Sequence, residues 1–296
     1  YRYTKTRIIL LMRLKTEHEQ RVNIENMNQQ KINFFTYISH DLKTPLTLIL
    51  SPLQRLIQQP QISNNDKEKL EVIYRNANRM NYLINELLTF SKIEMKQMRI
   101  SVRKGDIMHF LEELSHIFDI VAGEREIDFI VNLEDTEEEV WFSPSKLERI
   151  LYNLLSNAFK YTQPGGYVKL SAKLIKEEKG TFVQISVKDN GRGIPKEAQE
   201  QIFESYYQVE KRDHREGFGL GLSLTRSLIH MHKGEIRVES EINKGSDFIV
   251  TLNVSEDAYN PDERSSENIT TEEIQKYNQR IKETIELIPE KLTNKE

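Results

Sequence analysis

The chain has 296 residues, 38% of them hydrophobic and 30% charged, enough for two ordinary domains with well-solvated faces. A net charge of -4 with no basic stripe in its body excludes an electrostatic footprint for nucleic acid. The absence of cysteine excludes disulfides and thiolate metal sites and suits a reducing compartment.

Taken in order, the chain opens on a basic stretch, Arg2-Tyr3-Thr4-Lys5-Thr6-Arg7, and a short apolar run, Ile8-Ile9-Leu10-Leu11-Met12. That run cannot cross a bilayer, which takes about 20 residues. Basic residues gather on the cytoplasmic flank of a spanning helix, so a membrane segment upstream is expected, with 1–27 as a juxtamembrane helix. From Leu14 to Gln59 there is no glycine, and Ile38, Leu42, Leu46, Ile49, Leu53 and Leu56 alternate steps of four and three, the mark of an apolar seam on a long helix. Pro60 and Ser63-Asn64-Asn65-Asp66 predict a turn, with Asp66 as the N-cap of the next helix. There the seam repeats through Leu70, Ile73, Ala77, Met80, Ile84, Leu87 and Ser91. An antiparallel hairpin of this kind leaves one stripe uncovered, and pairing two of them into a dimeric four-helix bundle covers it.

Beyond Gly105 the pattern predicts a helix near Asp106–Val121, short strands at Ile127–Val131 and Val140–Phe142, and a helix opened by Ser143 as N-cap and Pro144 in its first turn. Period-two strands follow at Val168–Ile175 and Phe182–Val187. A helix runs from Leu220 to near Gly234, and strands at Glu235–Ser240 and Asp247–Val254 close an α+β layer of helices on one face of a mixed sheet. After Ser255 the chain turns polar, with a helix at Thr271–Ile288 that has too few large apolar residues to fold alone; residues 256–296 read as a linker tail.

Four motifs carry chemistry. His40 sits in Ser39-His40-Asp41-Leu42-Lys43-Thr44-Pro45. A neutral imidazole attacks a phosphoryl group when its other nitrogen is held in one tautomer, and Asp41 can accept that second proton. Thr44 lies one helical turn from His40 on the same face, where its hydroxyl can position a water. Pro45 and Pro52 each remove a helix donor and should kink the helix. Asn153 and Asn157, four apart, share a helix face, and neutral amide oxygens suit a Mg²⁺ that keeps several waters and is shared with triphosphate oxygens. Lys160 can reach a phosphate and Tyr161 a base or ribose. Asp189-Asn190-Gly191-Arg192-Gly193-Ile194 follows a strand, its acid able to accept an adenine N–H and its glycines permitting close approach. Gly217-Phe218-Gly219-Leu220-Gly221 runs into a helix whose free N–H groups make an anion cradle. It is neither a Walker loop nor a dinucleotide-binding turn.

In this order the motifs resemble the phosphoacceptor and ATP-binding boxes of two-component sensor histidine kinases, over roughly Asn28 to Val254. The resemblance implies a dimerisation and phosphotransfer domain at 28–100, and a catalytic domain at 101–255 with the α/β sandwich shared with gyrase-type ATPases. It implies ATP and Mg²⁺ as cofactors, His40 as phosphoacceptor, Asn157 as the magnesium residue, and Asp189, Gly191, Gly193 and Ile194 around the nucleotide. Phe203–Glu216 matches the family's F box and mobile ATP lid, with Arg212, His214 and Arg215 able to close over the triphosphate. It departs from the family where Glu204-Ser205-Tyr206-Tyr207 replaces a more basic run. The implied partners are a second copy and the receiver domain of a response regulator, separate or once in the same chain, as in hybrid kinases. The implied location is the cytoplasmic portion of an inner-membrane sensor. The competing readings are a gyrase-like ATPase clamp, which shares the glycine loops and Asn helix but has no use for His40-Asp41, and a degenerate signalling scaffold.

Overall fold

The computed structural model describes residues 41–59, 62–95, 97–136, 138–208, 219–267 and 269–285, with single helical positions at 27, 29, 37 and 38. Helix α1 covers 41–57 and runs unbroken through Pro45 and Pro52; most of the helix expected from Leu14 lies outside the described residues. Helix α2 is Asn64–Glu94. Its N-cap is Ser63 rather than Asp66. The Ser63 hydroxyl oxygen accepts the Asp66 N–H at 3.2 Å and donates to the Asp66 carboxylate at 2.7 Å. Asp66 thus serves in the first turn, where an acid complements the helix dipole.

The two helices split their apolar seam by sevens. Leu46 and Leu53 on α1, and Ala77 and Ile84 on α2, are buried, and Leu46 packs with Ala77 and Ile84. The other half of each repeat stays exposed, at 41% for Leu42, 47% for Ile49, 49% for Ile73 and 53% for Met80. One hairpin satisfies half of its own heptads.

The α/β unit is built on a five-stranded sheet in the order β2-β4-β5-β7-β6. The strands are β2 Asp128–Leu133, β4 Tyr167–Glu177, β5 Gly180–Asp189, β6 Glu235–Glu241 and β7 Gly245–Asn253. Only β2 with β4 is parallel, so the sheet is mixed as expected. Alternation buries one face: Val168, Leu170 and Ala172 on β4, Val183, Ile185 and Val187 on β5, and Phe248, Val250 and Leu252 on β7. These pack with α3 (Ile107–Arg125), α4 (Pro144–Tyr161) and α5 (Gly221–Met231) in one core. Two short strands, β1 Arg103–Asp106 and β3 Glu139–Phe142, pair antiparallel in a separate ribbon. Arg-Lys-Gly-Asp carries no strand pattern, so β1 is not expected from the sequence.

Ser143 caps α4 without a side-chain hydrogen bond. Its N–H donates instead to Nε2 of His232, whose Nδ1 bonds the Leu228 carbonyl at 3.0 Å. Complete burial pushes the His232 imidazole down to about 4, so it stays neutral and joins the end of α5 to the start of α4.

The expected polar linker is corrected over the described residues 255–285. Tyr259 is 3% exposed, and α6 (Thr271–Ile285) places Ile274, Tyr277 and Ile281 in the main core. The Tyr277 ring meets Phe110 of α3 edge-on at 5.7 Å. The segment cannot fold alone, but three apolar residues at helical spacing suffice once α3 supplies the other wall.

Candidate active site

Asp189 ends β5 at the heart of the unit and is 5% exposed. Its Oδ1 accepts the Gly191 N–H at 2.8 Å. Burial raises its carboxyl to about 6, the Gly191 and Ser246 N–H groups pull it back, and nearby Asp247 raises it further. The loop that follows is fastened on every side. Asn190 accepts the Tyr167 N–H at 2.7 Å, the Arg192 N–H reaches the Tyr161 carbonyl at 3.4 Å, and the Arg192 carbonyl accepts from Asn243 at 2.8 Å. Ile194 donates to Ser240 Oγ at 2.8 Å, and Ser240 in turn donates to the Gly245 carbonyl.

Glycine is required at two points here. Gly193 has φ 70°, and a Cβ there would lie 2.0 Å from the Glu241 carbonyl oxygen. Gly245 has φ 101°, and its Cβ would lie 1.9 Å from the Asp189 carbonyl oxygen. Gly245 and Ser240 are not expected here from the sequence, because Asn243-Lys244-Gly245 between two strands reads only as a hairpin turn.

On α4 the two asparagines have parted roles. Asn153 donates to Thr225 Oγ1 at 2.7 Å, and its amide fills the space a Cβ at Gly221 would need, 2.6 Å from Asn153 Oδ1. It fixes the first turn of α5 against α4. Asn157, one turn on and half-buried, has no side-chain hydrogen bond to any described residue. At the end of α4, Lys160 Nζ stands 4.8 Å and the Arg192 guanidinium 4.4 Å from the centre of the Tyr161 ring, a cation–aromatic stack beside the Asp189 loop.

Helix α5 begins at Gly221 after a buried Leu220, and among the described residues no side chain caps it. With respect to those residues its first N–H groups are open to an anion. Gly219 has φ 69° and accepts the Tyr206 N–H at 3.0 Å. Asp189, Gly191, Gly193, Ile194, Asn153, Asn157, Lys160, Tyr161, Gly219, Leu220 and Gly221 thus belong to one unit, formed by the end of β5, α4 and the start of α5. Asp41 and Thr44 lie exposed on α1. His40, Arg212, Arg215 and Gly217 lie outside the described residues.

The hairpin meets this unit through the second half of α2. Arg149 of α4 donates to Thr89 Oγ1 at 2.8 Å, the Tyr82 and Tyr152 rings lie 6.0 Å apart, and Tyr82 donates to a buried Glu86 at 2.8 Å. Burial raises the Glu86 carboxyl, against the Tyr82 hydrogen bond and Arg149.

Residues 30–96 match the family model described as His Kinase A (phospho-acceptor) domain, and residues 142–256 the one described as Histidine kinase-, DNA gyrase B-, and HSP90-like ATPase. Histidine kinase P4 of Formosa agariphila is 36% identical over 255 residues, covering 84% of this chain and 18% of its own length. Hybrid signal transduction histidine kinase D of Dictyostelium discoideum is 32% identical over 233 residues, covering 77% of this chain and 15% of its own. The chain thus spans less than a fifth of either relative. Full-length ShkA, solved in complex with AMPPNP, superposes with a TM-score of 0.64 at 25% identity, over 75% of this chain and 45% of that one. The phospho-acceptor match covers the hairpin that a gyrase-like clamp has no use for. With a helical phosphoacceptor region followed by the ATP-binding α/β sandwich, the chain belongs to the two-component sensor histidine kinases.

Proposed function

We propose that the chain transfers the γ-phosphoryl group of Mg-ATP to His40, and then to an aspartate on a response-regulator receiver. The observation that carries this is the pairing of a buried Asp189 with the uncapped start of α5 in one rigid unit. The acid accepts the adenine amino group, and the helix start takes the phosphates. The AMPPNP complex of the similar ShkA supports nucleotide binding here.

Asn157 fits a magnesium ion: its amide oxygen is a neutral donor and makes no hydrogen bond to any described residue. Asn157 would hold the ion, which would neutralise the charge of the triphosphate. Lys160, with Arg212 and Arg215, would meet the same phosphates, and Tyr161 would wall the base or ribose.

In the transfer, one imidazole nitrogen of His40 bonds to the γ-phosphorus as the bond to the β–γ bridging oxygen breaks. ADP leaves, and the proton of the other nitrogen passes to Asp41. Thr44 would orient water for hydrolysis of the receiver's aspartyl phosphate. The hybrid kinase among the relatives favours a receiver as the next acceptor.

The exposed half-heptads at Leu42, Ile49, Ile73 and Met80 favour a homodimer, in which a second hairpin covers them. No described helix is long and apolar enough to cross a membrane; the basic opening favours a place on the cytoplasmic side of a membrane sensor.

The test is incubation with γ-labelled Mg-ATP. The bound label should be acid-labile and alkali-stable, and His40→Gln should abolish it while nucleotide binding survives. Undiminished labelling in that variant overturns the assignment.

A further inference from the structure

The segments that enter and leave the ATP-binding unit lie against each other. Residues 97–106 lead from the end of α2 into β1, and residues 255–285 follow β7. Val102 donates its N–H to the Glu263 carbonyl at 2.8 Å and accepts the Ser265 N–H at 2.9 Å, a parallel bridge centred on Arg264. Ile100 and Val102 are buried with Tyr259 in a small cluster of their own, walled by Trp141, Met231 and Ala258. One residue along, Arg103 Nη1 bridges both carboxylate oxygens of Glu273 at 3.0 and 2.9 Å. Gly105 faces Ile269, whose Cδ1 is 2.9 Å from where a Cβ would stand. Helix α6 then fastens the whole segment to α3.

None of these contacts reaches Asp189, Asn157 or the first turn of α5. They act on the tether between the hairpin and the ATP-binding unit. The end of α2 is wrapped by Gln97 and Met98, whose N–H groups reach the Lys92 carbonyl at 2.9 and 3.3 Å. With Ile100 held by Tyr259, only Arg99 separates two anchored ends. Without residues 259–265, the first anchored position would be Arg103, which β3 holds through β1.

We propose that residues 255–267 and 269–273 are a clamp on the interdomain tether, with Arg103 and Glu273 as positioning residues for phosphotransfer. This rests on the kinase reading above. The clamp shortens the slack between ATP site and phosphoacceptor from about four residues to about one. With about three more residues free, the ATP-binding unit samples more orientations away from the phosphoacceptor, so release should slow transfer about fivefold.

The test uses the full chain. Ser265→Pro deletes the N–H that Val102 accepts, and Arg264 (φ −98°, ψ 132°) already has the extended backbone that precedes a proline. Arg103→Glu and Glu273→Arg each break the ion pair, and together they restore it with the charges exchanged. Ser265→Pro, which frees Val102, should lower the initial rate of acid-labile labelling about fivefold, and each ion-pair variant, which leaves the Val102 bridge in place, should lower it about twofold. ATP affinity should stay within about twofold of wild type, amide exchange at Val102 should accelerate, and the charge-swapped pair should recover the rate. An unchanged or higher rate with accelerated exchange at Val102 overturns the proposal. So does a parallel loss of ATP affinity, which marks mere support of the fold. If the wild-type chain itself takes no acid-labile label, the kinase reading fails instead, and the clamp stands or falls on Val102 exchange and the charge-swap rescue of that exchange.

Discussion

Replacing Asp189 by Asn separates the stability cost of this residue from its use. A carboxyl held at about 6 in the folded chain, against an ordinary 3.8, binds its proton more tightly folded than unfolded. Stability contributed by that proton is present below pH 4 and is lost as pH rises through about 6, where the ionised folded form carries a cost of at most about 3 kcal/mol. The amide introduced by Asp189→Asn would keep the bond from Gly191 but turn its amino group toward the Ser246 N–H, a loss of about 1–2 kcal/mol. At pH 8 the variant should therefore be about 1 kcal/mol more stable than wild type, and at pH 3 about 1–2 kcal/mol less stable. Urea unfolding followed by the single tryptophan, Trp141, which stands in β3 of this domain, reads the difference. Nucleotide affinity runs the other way. On the role proposed for Asp189 the adenine amino group needs the ionised acid, so wild-type affinity should fall about tenfold per pH unit below 6. The variant should bind ATP weakly, with no such slope and with reduced preference over GTP. A variant less stable than wild type at both pH values, or one that keeps the wild-type pH slope of binding, refutes the reasoning.

Asn157→Ala should lower the rate of His40 labelling by about a hundredfold and ATP affinity by less than tenfold, because the ion matters most as charge develops on the phosphoryl group; filter-binding and rate measurements separate the two. Thr44→Ala should leave labelling of His40 intact and slow dephosphorylation of the partner regulator. Asp41→Asn should impair labelling first, and both reactions measured on both variants decide the roles. Leu42→Asp should weaken the dimer in sedimentation by several kcal/mol, through burial of an unpaired charge against a second hairpin; an unchanged dimer would place the interface elsewhere.

The glycine loops and the Asn helix were legible because their chemistry is local: residue type and spacing place Asp189, Gly191 and Gly193 on one loop, and Asn153 and Asn157 on one helix face. The division of labour between the asparagines was not. Thr225, which engages Asn153, lies 72 residues away, on a helix whose approach no local pattern records. Gly245 and Ser240 escaped for the same reason, since their partners are the carbonyl of Asp189 at the end of β5 and the N–H of Ile194 in the loop that follows it. The hairpin's repeats showed two apolar positions per heptad, but which half faces inward is fixed by packing. The tail misled through its composition. Its few apolar residues looked insufficient because the wall that completes them, α3, comes far earlier in the chain.

The Asp189 loop is secured by α4 at one end and by the β6–β7 turn at the other, with its glycines pressed against backbone that cannot retreat. On the proposed role of Asp189, a base arriving there meets a surface already set, so little chain entropy is surrendered at the adenine end. On the proposed site, differences in affinity among ATP, ADP and AMP then arise from the groups that meet the phosphates, the start of α5 with Lys160, Arg212, Arg215 and the ion at Asn157, and a ligand that mimics only the base should bind with a small entropic penalty for its size.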